Sequence, residues 1–431
     1  MAVDPLEPGE WHRLHPLTPA VRAGRMLIPL LFVALYAFSS GNFGRGVGGT
    51  IARLVALPIV LLFAVISWWV TRWRIEGDAL RIETGLIRRS SLRFPLSQIQ
   101  AIDTVRPALA RVLGLAELRL RMGGATGSHG RLAYLTLPHA DTLRGQLLAL
   151  AHGIAIDTPA PPEQVLLSVR TDRLLVSIVL SRLGVVTLVL LVGAVVSLVV
   201  VPTVAVGVIG GSGTAILGLV TAFWRRLNSD YGLTVAEAGD GLRLRSGLID
   251  TAAETIPRGR VQAVRMIEPL LWRPFGWCRV EVDVAGRQRA RGENRSESRE
   301  LRAVLPVGSH AEAAWLLGRL LPDAPSARTP APPRARYKAP LRYHFLAWGR
   351  TDTCVVATSG RLARVTSWVP LGKVQSLRRV QGPLQRRLRL ATVHLDTAGR
   401  RVGASLLDRD VDEADRALEK LTELSRAARR T

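Results

Sequence analysis

The side chains that carry most enzyme and metal chemistry are few and scattered in this sequence. Eight histidines (His12, His15, His129, His139, His152, His310, His344, His394) show no metal-ligand spacing; His12 and His15 stand three apart, but no second pair answers them. Cys278 and Cys354 are too few for a disulfide framework or a four-ligand zinc site, and both fall in strand-like segments that bury a thiol rather than activate it. Gly210-Gly211-Ser212-Gly213 loosely has the composition of a phosphate loop, but it lacks the lysine and lies in an apolar run. Gly207 and Gly211 read better as one close helix contact. No catalytic, cofactor-binding or metal-binding residue is assigned. The expectation is a protein that is not an enzyme and needs no cofactor.

Amides and guanidiniums are the polar groups that recur in register. Pro95, Pro257 and Pro370 each precede, by five residues, Gln100, Gln262 and Gln375, and by sixteen, Arg111, Arg273 and Arg386. Proline or glycine falls at +12 (Pro107, Pro269, Gly382), and a glycine lies ten residues before each proline (Gly85, Gly247, Gly360). No gap is needed, so the chain carries three copies of one unit. The repeated Gln and Arg suit a common ligand, but a backbone-bonding amide and an arginine at a turn are the favoured roles, because shared descent preserves fold first. The denser arginines are candidates for an anionic partner: Arg378, Arg379, Arg386 and Arg387 after the third proline, and Arg287, Arg289 and Arg291 in the basic loop 287–299.

These side chains have to be held by strands and one helix per unit. Leu80-Arg81-Ile82-Glu83 and Arg279-Val280-Glu281-Val282-Asp283-Val284 alternate with the period of half-buried strands. Each unit closes on a helix-period segment, 140–150, 311–321 and 412–428. Several strands followed by one helix predict a small, strongly bent sheet or barrel plugged by a helix.

Composition adds a second layer. Of 431 residues 48% are hydrophobic, 58 Lys+Arg stand against 34 Asp+Glu (+24), and only Lys338, Lys373 and Lys420 are lysines. Mean hydropathy is +0.19. Met26–Gly44 and Leu54–Thr71 run 19 and 18 residues without a charge, and Leu183–Trp224 runs 42, long enough for two spans broken at Pro202-Thr203. Arginines flank the outer ends of both pairs, which the positive-inside rule reads as termini and hydrophilic regions facing the cytoplasm of a multi-pass cell-membrane protein. Such flanking arginines explain the basic charge without nucleic acid.

The run Pro370-Leu371-Gly372-Lys373-Val374-Gln375-Ser376, continuing through Gln381-Gly382-Pro383-Leu384-Gln385-Arg386, Leu390-Ala391-Thr392-Val393 and Thr397-Ala398-Gly399, resembles the bacterial PH-like domain of the YdbS/YdbT type. Arg389 departs from it, standing where the other copies have Gly114 and Gly276. The resemblance implies PH-like folds, a membrane location and a smaller YdbS-like partner, with no catalytic residues to carry over. The expected fold class is membrane α + β, with two transmembrane helical hairpins (four spans) and three PH-like small β-barrel or sheet domains, each ending in an α-helix. The expected order is a cytoplasmic arm (1–25), hairpin (26–71), PH-like domain (72–155), linker (156–182), hairpin (183–224), second domain (225–321), extended Pro-rich linker (322–340) and third domain (341–431), the last folding alone. The function expected is a non-enzymatic scaffold displaying three cytoplasmic PH-like domains, in contact with anionic lipid headgroups and serving cell-envelope maintenance or stress tolerance. A transporter or flippase acting through the hairpins is the alternative. The spans hold no carboxylate for an ion path, which speaks against it.

Overall fold

The computed structural model describes residues 9–24, 58, 62, 64–85, 89–122, 130–152, 164–200, 218–238, 241–257, 259–284, 302–325, 329–399 and 402–430. Along the sequence, the same set of seven strands and a closing helix occurs three times. The first set is β1 (His12–Arg13), β2 (Arg72–Glu76), β3 (Ala79–Thr84), β4 (Ser90–Pro95), β5 (Ile99–Arg106), β6 (Leu115–Met122) and β7 (Gly130–Thr136). The second is β8 (Gln164–Ser168), β9 (Thr234–Ala238), β10 (Gly241–Ser246), β11 (Thr251–Pro257), β12 (Val261–Pro269), β13 (Trp277–Val284) and β14 (Arg302–Ser309). The third is β15 (Thr329–Pro330), β16 (Ala347–Arg350), β17 (Cys354–Ser359), β18 (Ala363–Pro370), β19 (Val374–Val380), β20 (Leu390–Thr397) and β21 (Ala404–Asp410). Short helices α1 (Ala108–Val112) and, further along, Leu270–Phe275 and Pro383–Arg387 link the fifth strand of each set to the sixth. The closing helices are α2 (Leu137–His152), His310–Leu320 and Val411–Ala427.

Two compact units divide the chain: Met1–Glu163 with Ile249–Thr255, and Gln164–Leu248 with Ile256–Thr431. In the first, β1-β2-β3-β4 form one antiparallel sheet, and β7, β6, β5 and β11 lie in order in another. Trp73, Leu80 and Phe94 from the first sheet meet Ile102, Leu118 and Leu120 from the second, and Leu143 and Leu147 of α2 close the core. Each fully buried leucine contributes roughly 1.5–3 kcal/mol. In the second unit a seven-stranded sheet runs β14-β13-β12-β18-β17-β16-β15, beside a three-stranded sheet β19-β20-β21. Val355, Val369, Val393 and Leu395 there pack against Ala414 and Leu421 of the last helix. The alternation seen in the sequence is what lets each sheet present one apolar face to the other.

The apolar stretches do not precede the modules; they lie inside them. Residues 26–71 separate β1 from its partner β2, and residues 171–230 separate β8 from its partner β9. In the third module the same place, between β15 and β16, holds two short turns, Pro333–Tyr337 and Tyr343–Phe345. The stretch expected as an extended linker is therefore built into that module: Ala331 and Ala335 join Leu346 and Leu390 in a small core.

The expected transmembrane hairpins are not found among the described residues. Among the described residues no single helix is long and apolar enough to cross a membrane. The expected third span, from Leu183, coincides with α4 (Arg182–Val200), but α3 (Thr171–Val179) stands before it inside the expected linker, and only α3 with Arg182–Gly193 together meet the length and composition, bent by 61°. Ser181 makes the break: its hydroxyl accepts from Gly184 N at 3.2 Å and so caps the second helix. A Cβ at Gly184 would lie 2.3 Å from the carbonyl oxygens of Ile178 and Val179, so the bend needs glycine. Leu174 and Ile178 are buried in the core of the second unit, which ties α3 to a sheet rather than to lipid. The span Met26–Gly44, part of Leu54–Thr71 and the turn at Pro202-Thr203 lie outside the described residues.

Candidate binding surfaces

The three repeated prolines end β4, β11 and β18. Each repeated glutamine then falls at a β-bulge. Ile99 and Ala101 pair with the consecutive residues Met122 and Arg121, skipping Gln100. Val261 and Ala263 do the same with Val284 and Asp283, and Val374 and Ser376 with Thr397 and Asp396. The extra residue adds twist and bends the strand where one sheet gives way to the other. Gln262 is buried, and its Nε2 donates to the Arg260 carbonyl at 3.4 Å; Gln375 is exposed. Arg111, Arg273 and Arg386 all occupy the short helix that follows. The Arg273 guanidinium donates to the Arg361 carbonyl at 2.7 Å and lies 5.5 Å from the Phe345 ring. Arg111, Arg386 and Arg387 point outward. The short helices end in a left-handed residue, Gly114 (φ 67°), Gly276 (φ 63°) or Arg389 (φ 52°), so the arginine keeps the glycine conformation of its siblings. Repeated residues are thus spread along each module, not gathered into one pocket.

A charged pair recurs at the same two positions of the first and third modules. In the first unit Asp103 (+8 from Pro95) accepts from Arg121 (+26), 2.6 Å apart, and Arg121 also binds Glu254 of β11. Thr255 N donates to the same Asp103 at 3.2 Å. Burial pushes the Asp103 carboxyl up while Arg121 pulls against it. In the third module the two signs are exchanged: Arg378 at +8 meets Asp396 at +26, 3.1 Å apart. Arg379 pairs with Asp415 of the last helix at 2.5 Å. Arg378 is 62% exposed, whereas Asp103 is buried.

Within the second unit, Arg226, Arg265, Arg279, Glu281 and Trp272 line a cavity of about 1000 Å³ beside α4. Arg279 bonds Asp230 at 3.0 Å and Glu281 at 2.8 Å, and Arg265 bonds Glu281 at 2.5 Å. Burial works against the Arg279 charge, but Asp230 and Glu281 outweigh it and hold the guanidinium above its ordinary value. Trp272 is buried and donates to the Ser177 carbonyl at 3.1 Å, fixing α3 to this wall. Neither Arg265 nor Arg279 was singled out by sequence. The signal was there in the alternation Arg279-Glu281-Asp283, which sets three charges on one strand face.

Both thiols are buried, and burial pushes Cys278 and Cys354 up to about 12. Arg287, Arg289 and Arg291 lie outside the described residues. Among the described residues no cluster of His, Cys, Asp and Glu is arranged to hold a metal ion.

Comparison with known proteins gives three matches to one family, described as bacterial PH domain, over residues 28–151, 178–307 and 333–425. No curated protein and no solved structure matches the chain.

Proposed function

The chain belongs to the bacterial PH domain family three times over, and from that premise we propose that it is a non-catalytic scaffold held at the cell membrane, its modules offering surfaces for other molecules. Domains of this kind typically bind rather than transform their ligands. The observation that carries the membrane part of the reading is α4. Val189 (63% exposed), Val195 (60%) and Val199 (77%) leave this helix with apolar surface facing outward, which a folded protein ordinarily covers with lipid or a partner. Arg182 begins the helix, and Arg225 and Arg226 follow in sequence, placing cations where anionic headgroups attract them. A cytoplasmic placing of the modules, a smaller YdbS-like membrane protein as partner and a role in the cell envelope complete the proposal; the resemblance to that family supports them.

Flotation tests it. Full-length protein mixed with vesicles of phosphatidylcholine, alone or with phosphatidylglycerol, is expected to float with both. It should stay bound in 1 M salt, because apolar contact is not screened. The triple variant V189D, V195D, V199D should remain at the bottom of the gradient. Wild-type protein that stays at the bottom as a single monodisperse species overturns the membrane reading.

A further inference from the structure

In the first two modules the strand that closes one sheet is joined by a strand from later in the chain, in an identical register. In the first unit Thr251, Ala252 and Ala253 of β11 pair antiparallel with Arg106, Val105 and Thr104 of β5. In the second, Arg364, Val365 and Thr366 of β18 pair with Glu268, Ile267 and Met266 of β12. Counted from the repeated prolines, both junctions set position −6 of the incoming strand against +11 of the receiving strand, −5 against +10, and −4 against +9. Two independent copies of one register make this a built acceptor and not an accident of packing.

The third receiving strand is β19, and among the described residues it is an outer strand of its sheet. Its surface differs accordingly: Asp103 and Thr104 at +8 and +9 of the first module are buried, whereas Arg378 and Arg379 at the same positions are exposed. An unpaired edge of this kind is a template for strand addition.

We propose that the outer edge of β19 receives an extended acidic segment of a partner protein, antiparallel and in the internal register, with a carboxylate opposite Arg378. This rests on the scaffold reading and names the chemistry of one partner. The first junction supplies the pattern, since there Arg121 is shared between the module's own Asp103 and the incoming Glu254 at position −3, which faces +8. In the third module Arg378 already holds Asp396, and an incoming −3 carboxylate completes the same carboxylate–arginine–carboxylate group. A second copy of this chain is a poor occupant. The edge strand that ends in a repeated proline, β4, would bring Arg89 and Arg93 alongside Arg379 in this register, setting like charges together.

The experiment uses full-length protein and a dye-labelled synthetic peptide with the sequence of residues 249–257, which carries Glu254 at the position in question. Anisotropy should report binding that weakens at least tenfold when the peptide carries E254K or the protein carries R378E. The two changes together should restore it. Hydrogen exchange should show new protection at 374–380. Four results overturn the proposal: protection elsewhere, binding indifferent to R378E, equal or tighter binding of a peptide of residues 87–95, or displacement of the peptide by phosphatidylglycerol vesicles. The last two assign the edge to a second copy and to lipid. Flotation through α4 does not involve β19, so a chain that floats but leaves the peptide free loses this inference alone, and one that binds the peptide without floating loses only the membrane reading.

Discussion

At the scale of single residues, the most consequential group is the guanidinium of Arg121, buried between two carboxylates. Removing one partner of such a group leaves charge without compensation, which costs about 3–5 kcal/mol. Arg121→Met should therefore loosen the β5–β6 pairing by about that amount, read as faster hydrogen exchange of the Ile102–Val105 amides. Its pH dependence has a definite sign. Burial already raises the Asp103 carboxyl in the folded protein, and losing Arg121 raises it further. A group whose folded value lies above its unfolded value, roughly 3.9 for Asp, contributes stability at low pH that disappears as the pH climbs through the folded value. The variant should be less impaired at pH 5 than at pH 7.5. Equal impairment at both values would show that Asp103 does not respond to Arg121.

The bulge belongs to the scale of the element. Gln375 is exposed and outside the ladder, so Gln375→Ala should change stability by no more than about 0.5 kcal/mol. Deleting Gln375 is a different operation. It shifts the start of β19 by one residue against β20 and turns Val374 away from the core it fills. A deletion variant that melts like wild type, by the ellipticity of the module, would reduce the bulge to an incidental irregularity. The repeated proline, glutamine and arginine could be aligned in the sequence without a gap because a bulge fixes spacing as firmly as a turn does. What could not be seen was its meaning, since a period-two pattern with one residue too many reads as noise until the partner strand is known. Helix α3 escaped for a related reason: nine residues between a short strand and an apolar run read as linker until the sheet that buries Leu174 and Ile178 is known.

Across the whole molecule, the structure departs from the sequence pattern in the order of its parts along the chain. Hairpin-then-domain is the natural reading when apolar runs and strand patterns alternate, because a two-residue strand such as His12–Arg13 or Thr329–Pro330 leaves no periodic trace. In the first and third modules those short strands carry the first edge to the far side of the inserted stretch. In the third module the consequence is energetic. Lys338 binds the fully buried Asp408 at 2.5 Å, and Arg409 donates to the carbonyls of Thr329 and Pro330 at 3.3 and 2.6 Å. A fragment of residues 341–431 leaves Asp408 without its lysine, whereas 322–431 keeps it. The longer fragment should need more urea to unfold, by a difference of about 3 kcal/mol or more. Coincident urea midpoints would put the boundary back at residue 341.

The shared register also sets a timetable on the ribosome. Synthesis at about 5–20 residues per second delivers β18 roughly 100 residues after β12, a wait of about 5–20 s, and β11 follows β5 later still. Throughout that interval a nascent chain carries a naked sheet edge in the crowded exit zone, where any neighbouring polypeptide can join it. Asp103 and Arg106 on β5, and Arg265 and Glu268 on β12, put solvated charge on those edges while they wait. When the late strand arrives, Glu268 meets Arg364 at 3.5 Å and Asp103 receives Thr255. The same side chains are guards during translation and clasps after it.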